Sequence, residues 1–174
     1  QLFSVWFRWL TSSQSDGAQR YNFQSLMAEV DRELAEGGGP YFLGSEPSLV
    51  DCMFAPFLER VAASVPYYQG IVVRHNPEWP SVRRWFDAME ELPSYRHIRS
   101  DFYTHVNDLP PQIGRCQSTA EAREYAAEVD GDGDAWRLPL VVGGTELEPT
   151  DHLGQTEEES RREAAERILA NHEA

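Results

Sequence analysis

The 174-residue chain contains no lysine, and all fifteen of its basic residues are arginine. Against them stand 29 Asp and Glu, a net charge of −14. So acidic a chain lacks the basic face that nucleic-acid binding requires. It also lacks the polybasic patch that docks proteins on anionic lipid. No run of about eighteen apolar residues occurs, so no membrane-spanning helix is expected. Cysteine is scarce: Cys52 and Cys116 cannot make a disulfide scaffold. Their scarcity fits a reducing, intracellular compartment. Cys52 lies in an apolar run and reads as a small buried hydrophobe. Cys116 lies in the polar loop Gly114–Gln117 and reads as an exposed thiol, with Arg115 the neighbour able to lower its pKa. The first residue is Gln1 rather than Met, which marks the chain as processed, truncated or partial.

Chemical motifs are missing as well. There is no G-x-S-x-G, no P-loop and no G-x-G-x-x-G. His75, His97, His105, His152 and His172 form no H-x-x-x-H pair and none sits at metal spacing from a cysteine, so no metal site is expected. His97 and His105 have the chemistry of a general base but belong to no recognisable constellation. Asp130, Asp132 and Asp134 match the opening of a calcium loop, yet Ala135 and Val141 stand where that loop needs Gly and Glu. The segment reads as a solvated acidic turn. No catalytic residue is expected in this chain.

What is present is helical periodicity. Hydrophobic residues make up 41% of the chain and aromatics 11%, enough to fold a core. Residues 1–10 are apolar almost all round and read as a buried or interface helix. Its Phe3, Trp6, Phe7 and Trp9 serve either a core or a ligand pocket. Phe23, Leu26, Met27, Val30 and Leu34 form one stripe of an amphipathic helix, ended by Gly37–Gly39 and Pro40. Ser48 with Asp51 at N3 forms an N-capping box. The helix it opens, Cys52 to Val61, is apolar on nearly all sides, as a central helix wrapped by others would be, with Pro56 at a kink or a tolerated early position. Ser81 caps the next helix, whose inner stripe is Val82, Trp85, Phe86, Met89 and Leu92. A short helix over Ser94–Tyr103, with Ile98 and Phe102 inward, completes five helices without a convincing strand.

The character changes near Asn107. Asp108-Leu109-Pro110-Pro111 is expected not to be helix. Residues 109–174 hold 6 Arg against 15 Asp and Glu, a net −9. In this acidic extension Thr119–Val129 allows a short helix, and Leu138–Val142 is the only β-like run, with Pro139 confining it to an edge. A second capping box at Thr156–Glu159 opens a helix over about 157–170 with Glu–Arg pairs at i,i+4. The expected fold is therefore all-α: a helical bundle over 1–106 and a mostly irregular extension over 107–174.

The segments Gly39-Pro40-Tyr41-Phe42-Leu43-Gly44, Pro47-Ser48-Leu49-Val50-Asp51 and Ala55-Pro56-Phe57-Leu58-Glu59-Arg60 resemble the C-terminal domain of glutathione S-transferases. So do Trp79-Pro80, Trp85-Phe86-Asp87-Ala88-Met89 and Leu92-Pro93-Ser94-Tyr95, in the family's order and spacing. Asp108-Leu109-Pro110-Pro111-Gln112 looks similar to plant, algal and cyanobacterial members, and chloroplast and cytoplasm both stay open as the compartment. The resemblance covers about residues 1–104. It implies that Ser48 and Asp51 are the family's structural cap. It implies that a thioredoxin-like domain, absent from this chain, would bind glutathione and supply the catalytic group. Glutathione is then a cofactor only where that domain is present. Phe3, Trp6, Phe7 and Trp9 are the residues expected near a hydrophobic substrate. A protein partner or a second copy of the chain is expected. The alternative is a non-catalytic docking subunit on a larger, possibly plastid, assembly. Fold alone does not separate these functions.

Overall fold

The structure, a computed structural model, describes residues 1–12, 17–130, 132, 140–142 and 145–147. Seven α-helices appear among them: α1 (Leu2–Thr11), α2 (Gly17–Glu36), α3 (Leu49–Gln69), α4 (Pro80–Glu90), α5 (Pro93–Ile98), α6 (Phe102–Ile113) and α7 (Arg123–Asp130). A 3-10 turn, Ala120–Ala122, precedes α7. Two short strands, β1 (Leu140–Val142) and β2 (Thr145–Leu147), pair antiparallel, with Leu140 opposite Leu147. Of the β-like run expected over Leu138–Val142, the described residues 140–142 form β1. The body is all-α. Terminal residues 157–170, expected as a helix, lie outside the described residues, as does most of the Asp130–Asp134 turn.

The helices pack because their stripes meet. Phe23, Met27 and Leu34 of α2, Val82, Trp85, Phe86 and Met89 of α4, and Leu58, Val61, Ala62 and Val65 of α3 are all buried in one core. At the end of α2 the chain folds back tightly. A Cβ on Gly39 would collide with the Gly44 carbonyl, so only glycine fits there.

Asp51 organises the next step. It is fully buried. Its carboxylate accepts from the Ser48 amide (2.8 Å), the Ser48 hydroxyl (2.6 Å), the Phe42 amide (3.0 Å) and the Trp85 indole N–H (2.9 Å). Both halves of the capping box at the start of α3 are in place. The Tyr41 hydroxyl donates to the Ala88 carbonyl and fastens the same loop to α4. Burial pushes the Asp51 pKa up, but these hydrogen bonds outweigh it and hold the group below its ordinary 3.8.

Several local expectations are corrected by tertiary context. Ser81 does not cap α4. Pro80 occupies the first helical position, where its fixed φ and missing N–H suit it. The acceptor comes instead from α2: Asp31 Oδ1 takes the amides of Ser81 (2.6 Å) and Val82 (2.9 Å). The Ser94–Tyr103 helix is broken at Arg99–Asp101, because Asp101 caps α6 through the Thr104 amide (2.6 Å). Ile98 consequently points out, 79% exposed, and Tyr95 points in.

Pro110 and Pro111 lie inside α6, against expectation. A proline at 110 leaves the Val106 carbonyl without its helical partner. The Tyr68 hydroxyl supplies the missing donor at 2.7 Å. α3 likewise runs unbroken through Pro56 and Pro66.

The helical body also passes the boundary expected at 106. α6 crosses it, and the chain continues against α3. Gln117 N–H donates to the Leu10 carbonyl (2.7 Å), and Thr119 N–H to the Tyr68 carbonyl (2.9 Å). Gly70, at φ +70°, lets the chain cross closely, since a Cβ there would lie 2.6 Å from the Glu121 backbone. α7 is latched by the Tyr67 hydroxyl, 3.0 and 3.1 Å from the two Asp130 carboxylate oxygens.

Replacing Asp51 by Asn leaves buried donors facing an amide. We expect a loss of about 3 kcal/mol in urea denaturation at neutral pH. Because its pKa is depressed, Asp51 stabilises the fold fully above 3.8 and less as pH falls through its folded value. Asp51→Asn should therefore flatten the acid side of the stability profile.

Candidate functional site

α1 carries the four aromatic residues expected beside a substrate, and the structure divides them. Trp6 and Trp9 are 2% and 4% exposed and belong to the core. Trp9 packs on Phe23, ring centroids 5.1 Å apart, and Phe23 on Trp79 at 6.2 Å. The Trp6 indole N–H donates to the Ser64 hydroxyl at 2.9 Å, and that hydroxyl donates to the Arg60 carbonyl. This relay fixes α1 on α3. Neither tryptophan can line an open cleft in this arrangement, which corrects the expectation for these two.

Phe3 and Phe7 lie on the other edge of α1. Phe3 is 48% exposed and Phe7 half-buried. Their centroids are 6.0 Å apart and nearly stacked. Phe57 of α3, 41% exposed, meets Phe3 edge-on at 5.5 Å. Phe57 continues an exposed line along α3 with Leu49 and Met53. These positions are four apart, so they share one face. Only the C-terminal half of α3 is wrapped on all sides; its N-terminal half leaves this stripe open. Cys52 is exposed there rather than buried. The sequence did not distinguish this stripe because every side of that helix is apolar.

An open groove of about 450 Å³ lies elsewhere, between the start of α1, α2, the 42–43 loop and α3. Its floor is apolar, including Leu26, Val30, Phe42 and Phe54, and Glu29 and Glu33 form an acidic edge.

The flank of α3 opposite Phe57 is ionic, since Glu59 lies about 160° around the helix. Arg74 and Glu90 form a buried, two-pronged ion pair, and Arg99 donates to Glu90 at 2.9 Å. The Arg74 guanidinium also sits 5.1 Å from the centre of the Phe86 ring. His105 approaches the Glu59 carboxylate at 3.6 Å. The enclosed space, about 20 Å³, suits one water and no substrate. The cluster joins α3, α4, α5 and α6, a structural task.

The titratable groups follow their surroundings. Burial pushes the Tyr95 phenol up, helped by Glu59, and pushes up Tyr68 too. Tyr67 is raised to about 12 by burial and then by Asp130. These phenols stay protonated and act as donors. Cys116 is half-buried, not exposed; burial raises its pKa despite a Tyr68 hydrogen bond. Arg115 does not make it a reactive thiolate. His97 uses Nδ1 on the Pro93 carbonyl of its own helix at 2.6 Å. Among the described residues no three His, Cys, Asp or Glu side chains gather as a metal site, and no helix is long and apolar enough to cross a membrane.

Residues 16–88 match the glutathione S-transferase C-terminal domain. That stretch runs from the start of α2 into α4 and contains the Asp51 tie and Phe57. The all-α architecture agrees with that domain. The chain is also similar to the glutathione S-transferase-like protein OpS6 of Beauveria bassiana (strain ARSEF 2860), 30% identical over 100 residues. The aligned region is 55% of this chain and 44% of OpS6, so the chain spans less than half of that relative. No solved structure gives a significant match.

Ser64→Ala removes the acceptor of a buried indole N–H. We expect a loss of about 2 kcal/mol by urea denaturation, with a red-shifted tryptophan emission as Trp6 loosens.

Proposed function

We propose that this chain is the substrate-side helical domain of a glutathione S-transferase-like protein. The observation that carries the reading is the exposed ring cluster of Phe3, Phe7 and Phe57 on the α1–α3 face of a body similar to that domain. Such a face binds a flat apolar electrophile by ring stacking and by area removed from water. Glutathione is bound and its thiol deprotonated in a thioredoxin-like domain. The thiolate attacks the electrophilic carbon, a C–S bond forms, and the leaving group departs with its electron pair. The helical domain contributes by holding the electrophile in place, a positioning effect. On this reading the helical chain alone binds the electrophile without conjugating it.

A second reading rests on the exposed line Leu49, Met53 and Phe57, an apolar face of the kind protein partners cover. In that reading the chain is a docking subunit, and small aromatic molecules have no preferred seat on it.

Calorimetric titration with 1,3-dinitrobenzene, an unreactive analogue of a halogenated nitroaromatic, separates the two. Saturable binding is expected, weakened about tenfold in the Phe3→Ala/Phe57→Ala double variant, which removes roughly 1.4 kcal/mol of ring contact. Glutathione alone should give no heat. Absence of dinitrobenzene binding, or an undiminished affinity in the double variant, would contradict the transferase reading.

A further inference from the structure

Arg60 lies three residues after Phe57 on α3, so the two side chains are neighbours on one helix face. It is half-buried. Four of the described arginines find carboxylates: Arg32 lies within 4 Å of Glu29, Glu33 and Glu36, Arg83 of Asp87, and Arg74 and Arg99 of Glu90. Arg60 makes no ion pair among the described residues. Its guanidinium makes one long hydrogen bond, 3.4 Å, to the Pro56 carbonyl one turn back. The turn that carries it is held by the Trp6–Ser64 relay, which ends on the Arg60 carbonyl.

We propose that Arg60 makes the Phe3–Phe7–Phe57 face selective for aromatic ligands that carry a negative charge, of the aromatic carboxylate class. This inference rests on the α1–α3 face being a ligand face. A guanidinium is planar, always charged and spaced to meet both oxygens of a carboxylate. Phe57, one turn before it on the helix, and the Phe3 and Phe7 rings that extend the cluster take the flat apolar part of the same molecule. The selectivity has to be local, because a chain of net charge −14 repels anions from a distance. A half-buried guanidinium without an ion pair also gains more from an anion than a fully solvated one does.

The test compares two probes of equal shape, 2-naphthoate and 2-naphthylmethanol, by calorimetry on the full chain at low ionic strength. Wild type should bind naphthoate at least about fivefold more tightly than the alcohol, and added salt should shrink that preference. Arg60→Gln should bring the naphthoate affinity down to that of the alcohol, while Arg60→Lys keeps part of the preference. Phe57→Ala should weaken both probes. Thermal unfolding of each variant confirms that it is folded. Equal wild-type affinities, or a preference that survives in Arg60→Gln, would overturn the role of Arg60 while leaving the aromatic face standing. No binding of either probe would overturn both.

Discussion

The Asp51 carboxylate draws three stretches of chain to one buried point: the start of α3, the 41–44 loop and Trp85 of α4. A carboxylate taken out of water is costly unless its lone pairs are filled, and here four donors fill them. Asp31 repeats the device between α2 and the start of α4. Together the two aspartates fix α2, α3 and α4 as one frame. Everything of functional interest is placed by that frame, because Phe57 and Arg60 stand two to three turns along the helix that Asp51 starts.

α3 then divides the molecule chemically. One flank presents Phe57, Arg60 and, from α1, Phe3 and Phe7. The other flank presents Glu59 to the ionic cluster of Arg74, Glu90, Arg99 and His105. The ionic flank is ion-paired and almost closed, and it welds the α4–α6 corner to α3. Its Tyr95 is held protonated by burial. The aromatic flank is open and poor in titratable groups. Binding and orientation are what such a face can supply, which suits a domain that positions an electrophile for chemistry performed elsewhere.

The sequence made the local parts of this arrangement legible and hid the distant ones. The stripes of α2 and α4 follow from spacing, and Ser48 with Asp51 reads as a cap because its partners lie three residues apart. That Asp51 also receives Trp85 could not be read, since 34 residues separate them. Ser81 looked like a cap because the true acceptor, Asp31, lies fifty residues upstream. The double proline of α6 looked like a helix breaker because its remedy, the Tyr68 hydroxyl, belongs to another helix. The aromatic face was legible only in part. In a helix apolar all round, periodicity does not say which rings turn inward, so Trp6 and Trp9 were grouped with Phe3 and Phe7. Phe57, Met53 and the exposed Cys52 were missed for the same reason.

The central claim is that ligands are held on the α1–α3 aromatic face rather than elsewhere on the body. Amide and aromatic side-chain chemical-shift mapping of the isotope-labelled chain, titrated with 1,3-dinitrobenzene, tests it most directly. The account requires the perturbations to centre on Phe3, Phe7, Phe57 and their helical neighbours. Shifts concentrated at Leu26, Val30 and Phe54, in the groove between α1, α2 and α3, would contradict it.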